Sequence, residues 1–143
     1  MSDQSKTNSS DEHFIVYFVD ADQGIPGKKY LDELPPKIAA KFDVILDAVA
    51  KAPPKKFSGG GYWEKMKAPL SDLYEVRLDD GRAKKHHRLF CALDYEAQGS
   101  TTPYLVILDG RTKTYFSEMS RREYVKIAEL RDRYFAENPR STA

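Results

Sequence analysis

Cysteine is almost missing from this chain: Cys91 is the only one in 143 residues, so no internal disulfide can form. It lies in the apolar run Leu89-Phe90-Cys91-Ala92-Leu93, where it reads as a small buried hydrophobe, and a reducing compartment fits. Metal-ligand spacing is missing too. Three histidines and one cysteine, without a Cys-x-x-Cys or His-Glu-x-x-His pattern, give no zinc constellation, and no nucleophile elbow appears. An excess of charge of one sign is also lacking, with 23 Lys plus Arg against 22 Asp plus Glu. Retention on nucleic acid by bulk charge is thereby excluded, and any phosphate-binding surface must be local. No apolar run is long enough for a signal peptide or a membrane span, so a cytoplasmic protein with no membrane partner is expected. Residues 1–12 hold no aliphatic or aromatic side chain after Met1; nothing there offsets the entropy of ordering, and a disordered tail is expected.

What remains has enough apolar matter for one packed domain, with 41% hydrophobic and 12% aromatic residues. The run His13 to Val19 is rich in β-branched and aromatic residues and reads as a first, largely buried strand. From Lys28 to Lys51, Leu31, Leu34, Ile38, Phe42, Ile45, Leu46 and Val49 recur at spacings of three and four, the stripe of an amphipathic helix. Pro35-Pro36 breaks it into a helical hairpin, and Ala52-Pro53-Pro54 closes the second helix. Lys55 to Gly61 contains three successive glycines without the lysine and Ser/Thr of a phosphate loop, and reads as a linker. Three short strands follow over Leu73 to Leu78, His86 to Asp94 and Tyr104 to Asp109; Asp79 to Arg82 makes a hairpin turn between the first two. Ser120 and Glu123 form a capping box for a last helix striped by Tyr124, Ile127, Ala128, Tyr134 and Phe135, which ends near Asn138-Pro139. The expectation is an α+β domain over 13–138: an N-terminal strand, a helical hairpin, a three-stranded antiparallel meander and a C-terminal helix, then a flexible C-terminus over 139–143.

Lys65-Met66, the strand Leu73-Tyr74-Glu75-Val76-Arg77, the strand segment Arg88-Leu89-Phe90, then Arg111-Thr112-Lys113 and Ser120 to Glu123 occur in an order and spacing that resembles the RelE/HigB toxins of toxin-antitoxin systems, including their phage-derived HigB-like members. The resemblance covers Tyr30 to Tyr134. In place of the family's aromatic and adjacent lysines after the last strand, this chain has Asp109 to Lys113. The resemblance implies a RelE-like fold and a metal-independent, cofactor-free endoribonuclease that cleaves mRNA, free or on the ribosome, and is held in check by a cognate antitoxin.

The chemistry of such a reaction explains which side chains matter. When a ribose 2′-hydroxyl attacks the adjacent phosphate, negative charge grows on the phosphorane and must be met by cations. Arginine suits this because its guanidinium stays charged and binds two phosphate oxygens at once. Arg77 and Arg88, on neighbouring strands, are the candidate phosphate ligands, with Lys113, Arg111 and Lys65 completing a ring of cations. Proton transfer needs a group titrating near neutrality, and alternation along the strand selects His86 rather than His87 to share a face with Arg88. Tyr124 resembles in position the tyrosine that some RelE-type toxins set over the substrate. Glu75 is read either as a base or as the partner of an arginine. Arg82, Lys84 and Lys85 lie in the most basic segment of the chain and are candidates for gripping the RNA backbone. Trp63 reads as a loop anchor. The competing readings are solvated surface arginines on a plain domain, or a non-catalytic binding protein on the same scaffold, directed at gyrase as in ParE relatives or at a host factor.

Overall fold

Two apolar runs without alternation, Leu89 to Leu93 and Leu105 to Leu108, belong to strands covered on both faces. A computed structural model describes residues 12–51, 63–66, 70 and 72–143. The strands are β1 (Phe14–Tyr17), β2 (Trp63–Lys65), β3 (Tyr74–Asp80), β4 (Lys85–Asp94) and β5 (Tyr104–Thr114). They form one mixed sheet in the order β1-β5-β4-β3-β2, in which β1 runs parallel to β5 and the other pairs are antiparallel. The helices are α1 (Pro26–Asp32), α2 (Pro36–Lys51) and α3 (Arg121–Ala136). The architecture is α+β, and the helical hairpin, the β3–β5 meander and the capping box of α3 all occur. It differs from the expected topology in two ways: the sheet is five-stranded and mixed, and Trp63, read as a loop anchor, opens the edge strand β2.

Each face of the sheet carries its own apolar cluster. On one side Ile38, Phe42, Leu46 and Val49 of α2 pack on Val76, Leu78, Leu89, Cys91 and Ile107, with Trp63 stacked on Tyr74 at 4.7 Å. On the other side Ile127, Leu130 and Tyr134 of α3 pack on Phe18, Phe90, Val106 and Leu108. Fully burying side chains of this size contributes roughly 1.5–3 kcal/mol each. Phe135, placed on the helix stripe from sequence, is 36% exposed, and Leu130 takes its place in the core.

The first strand is not largely buried as expected. It is an outer strand that, among the described strands, pairs with β5 alone, and Phe14 and Ile15 are 57% and 39% exposed. The C-terminus, expected to be flexible, is hydrogen-bonded to the first strand and the residues after it: Tyr17 and Ala143 exchange two backbone hydrogen bonds of 2.9 Å, and the Val19 amide donates to the Ser141 carbonyl at 3.0 Å. Arg140 explains why. Its Nε donates to Oδ2 of Asp94 at 2.8 Å, and Asp94, which is 1% exposed, also accepts from the Tyr134 hydroxyl at 2.6 Å and the Glu96 amide at 2.9 Å. The short apolar-poor segment offered no sequence signal, because a buried ion pair and backbone hydrogen bonds hold it rather than an apolar stripe. The expected tail up to residue 11, the helix closure at Ala52-Pro53-Pro54 and the Lys55–Gly61 linker lie outside the described residues.

Candidate functional site

The face of the sheet beneath α3 carries three arginines in one line. Arg77 on β3 pairs with Arg88 on β4, which pairs with Arg111 on β5. Directly paired residues of antiparallel strands share a face with Cα atoms about 4.5–5.5 Å apart, so the three arginine side chains leave neighbouring positions on one face, although the heads of Arg77 and Arg88 turn to opposite rows, to Asp79 and Glu75. The next row is Asp79, His86 and Lys113, and the row on the other side is Glu75, Phe90 and Asp109. Simple alternation along β5 would have turned Arg111 and Lys113 to the opposite face, because Ile107 packs on the hairpin side. A bulge reverses the phase: Cys91 pairs with Ile107, but Phe90 pairs with Asp109, which leaves Leu108 as the extra residue. Such a bulge re-aims the side chains that follow it, here onto the arginine face.

Lys65 does not join this group. It pairs with Tyr74, whose ring belongs to the hairpin-side cluster, so the β2 residue on the arginine face is Glu64, opposite Glu75. Arg82 and Lys84, in the hairpin tip, and Lys85, which follows it as the first residue of β4, are exposed beside the same end of the sheet as His86 and Lys113. Lys84 adopts a left-handed backbone with φ 54°, and its carbonyl accepts the Tyr115 amide at 2.9 Å, tying the tip to the turn after β5. Tyr115 and Phe116 went unmarked in the sequence, although an aromatic pair directly after the basic segment of β5 was a usable signal. Tyr115 stacks on His86 at 4.6 Å, and Phe116 is 91% exposed.

Every cation of the line meets a carboxylate. Arg88 Nη1 donates to Glu75 Oε1 at 2.8 Å, Arg111 Nη1 to Asp109 Oδ2 at 2.6 Å, and Arg77 Nε to Asp79 Oδ1 at 3.3 Å. Lys113 Nζ lies 2.7 Å from Glu123 Oε2, and Arg111 Nε lies 3.9 Å from the same atom. Four cations thus face four carboxylates, and the patch carries no net charge when His86 is neutral. Arg88 keeps one buried donor, Nε, with no hydrogen-bond partner.

The histidine pair splits between the two faces. His86 Nδ1 donates to Asp79 Oδ1 at 2.6 Å, which leaves Nε2 as the ring nitrogen able to take a proton. The hydrogen bond from His86, with the Arg77 guanidinium alongside, holds the Asp79 carboxyl below its ordinary range. His87 points to the hairpin side and contacts the Thr112 hydroxyl at 2.9 Å; burial pushes its pKa down. It lines a cavity of about 410 Å³ with Tyr30, Leu34, Arg111 and Thr112. Tyr124 packs edge-on against Phe90 at 6.2 Å; burial raises its phenol, while Arg88 opposes that shift. The Lys113 ammonium holds Glu123 low, with help from the Ser120 amide. Among the described residues no group of three His, Cys, Asp or Glu side chains is arranged to hold a metal ion, and no helix is long and apolar enough to cross a membrane.

Compared with protein-family models, with curated proteins and with solved structures, the chain matches none.

Proposed function

We propose that the arginine face binds the phosphodiester backbone of RNA and cleaves it, as a toxin-like endoribonuclease of the RelE/HigB kind that acts on mRNA, free or on the ribosome, with a cognate antitoxin as its protein partner. The observation that carries this reading is the cross-strand line Arg77, Arg88, Arg111, flanked by the His86–Asp79 pair. Arg88 stands at its centre, held to Glu75 through Nη1, with its Nε buried and unpaired.

In the reaction, Nε2 of neutral His86 takes the proton of the ribose 2′-hydroxyl while that oxygen forms a bond to phosphorus. The P–O5′ bond breaks, and the departing oxygen receives a proton from the phenol of Tyr124, giving a 2′,3′-cyclic phosphate and a 5′-hydroxyl. Along β4, His86 is two residues from Arg88 on one side, and Phe90, against which Tyr124 packs, is two residues away on the other. Each interval spans about 6.6 Å. In this reading base and acid approach a phosphate centred on Arg88 from opposite ends, as an in-line displacement requires. Asp79 orients the imidazole and stabilises it once protonated. The exposed Arg82, Lys84 and Lys85 extend the positive track along the RNA backbone.

One observation favours the second reading, a non-catalytic binding protein on the same scaffold aimed at gyrase or a host factor: the four carboxylates that neutralise the four cations. Incubating the purified protein with mRNA, with and without ribosomes, and mapping ends by primer extension separates the two. New ends that disappear in Arg88→Ala support cleavage. Intact transcripts together with inhibited gyrase supercoiling favour the binder.

A further inference from the structure

Of the three carboxylates that hold the cations around Arg88 and Arg111, two are parts of the sheet and one is not. Glu75 and Asp109 lie on strands, their side chains only 11% and 13% exposed, and Asp109 Oδ1 also accepts the Gly110 amide at 2.8 Å. They orient the arginines from below and have nowhere to go. Glu123 comes instead from the first turn of α3, and its side chain is 22% exposed.

Its two oxygens do different work. Oε1 accepts the Ser120 amide at 3.0 Å and completes the capping box, while Oε2 faces Lys113 Nζ at 2.7 Å and Arg111 Nε at 3.9 Å. An anionic oxygen thus already sits between an ammonium and a guanidinium, the arrangement a phosphate oxygen would seek. We propose that Glu123 is a gate on this anion site: its carboxylate occupies Lys113 and Arg111 at rest, and an incoming phosphate group of the substrate displaces Oε2 while Oε1 keeps the helix cap. This inference rests on the reading of the arginine face as a phosphate-binding surface, and it adds a residue that governs access to it. Because the Lys113 ammonium keeps Glu123 ionised well below neutral pH, the gate yields to a competing anion rather than to a proton.

The gate explains how the patch can be electrically neutral at rest and still take an anion. Displacement frees the Lys113 ammonium and the Arg111 Nε, while Arg111 Nη1 stays on Asp109; it breaks two contacts of Oε2 between groups that are about a quarter exposed, interactions that are weak in high dielectric and weaker in salt. Only a ligand that brings its own negative charge close to Lys113 can effect the exchange. Neutral polymers cannot.

Glu123→Gln removes the charge while a glutamine can still complete the capping box, so the helix start is preserved. Affinity for pyrophosphate, and for a 2′-O-methyl oligoribonucleotide that has no attacking hydroxyl, is measured by calorimetry and anisotropy at several salt concentrations. The inference expects about tenfold tighter binding of both at low salt, since a like charge near the ligand is gone. It also expects a salt slope steeper by about one for the oligonucleotide. Adding Lys113→Ala to Glu123→Gln should abolish the gain. If Glu123→Gln binds pyrophosphate and oligonucleotide within twofold of wild type, the gate is refuted, while oligonucleotide binding and mRNA cleavage by the wild type would leave the RNA reading standing. Tighter pyrophosphate binding by Glu123→Gln, with no RNA bound or cut by either protein, keeps the gate and overturns the RNA reading.

Discussion

Replacing Arg140 by alanine tests how a four-residue segment is held to the sheet. Arg140 meets Asp94 inside the protein, with the arginine side chain 9% exposed and the carboxylate side chain 1%. The guanidinium also donates to the carbonyls of Phe135 and Glu137 at 3.0 Å and lies over the rings of Tyr134 and Phe135 at 5.5 and 5.3 Å. Removing one partner of a buried pair costs about 3–5 kcal/mol, because a charge is left uncompensated. Here Asp94 keeps the Tyr134 hydroxyl and the Glu96 amide, so the lower end, about 3 kcal/mol, is expected from urea unfolding at pH 7. Burial alone would raise the Asp94 pKa, but the bonds from Arg140, Tyr134 and the Glu96 amide outweigh it and leave the pKa lowered. A carboxyl with a depressed folded pKa contributes stability that is present above its unfolded value, about 3.9, and is lost as pH falls through the folded value. The gap between wild type and Arg140→Ala should therefore narrow on acidification below about pH 4. Hydrogen exchange should report local release as well: the Tyr17 and Val19 amides, which donate to Ala143 and Ser141, should exchange much faster in the variant. A loss under about 1 kcal/mol at pH 7, well short of the cost of breaking a buried pair, or a gap that does not change with pH, would refute the staple.

Other consequences follow from packing and titration. A Cβ on Gly110 would fall within the Tyr30 ring, whose hydroxyl is held by the Arg111 carbonyl at 3.1 Å and by Thr112 at 2.9 Å. Gly110→Ala should destabilise by about 1–3 kcal/mol in thermal or urea melts, and the Tyr30 phenol, which burial pushes up to about 12, should titrate closer to 10. His87 is 2% exposed and burial lowers its pKa, so the unfolded chain takes up a proton that the folded chain refuses. Wild-type stability should fall as pH drops below about 6.5, by up to about 1.4 kcal/mol per pH unit, and His87→Leu should flatten that part of the profile.

Much of the scaffold was legible because each element carries a local signal. The Ile38, Phe42, Leu46 and Val49 stripe, the Ser120–Glu123 box and the unalternating strands all reflect burial that the chain encodes in its own spacing. Edges were not legible. Phe14 and Ile15 are as apolar as core residues, and nothing in their spacing told that, among the described strands, β5 alone would pair with theirs. The site was half legible for a related reason. Period-two alternation places His86 with Arg88 and sends His87 to the other face, as the strand register has it. It fails for Arg111 and Lys113, because the bulge opposite Phe90 shifts the phase of β5, and a bulge without a glycine at its extra residue leaves little trace in sequence. It fails for Lys65 because the edge strand β2 was itself unforeseen. The carboxylates Glu75, Asp109 and Glu123 come from three separate elements, so only the folded register unites them with the cations they neutralise.

On the proposed reading, Arg88 and its neighbours stabilise the phosphorane formed by 2′-hydroxyl attack. End analysis of a defined RNA after incubation with the protein in a chelator tests it most directly. The expected products are 2′,3′-cyclic phosphate and 5′-hydroxyl ends, formed about 10²–10³-fold more slowly by Arg88→Ala and not at all on a 2′-O-methyl substrate. Ends bearing a 5′-phosphate, or a cleavage rate indifferent to Arg88→Ala, would contradict it.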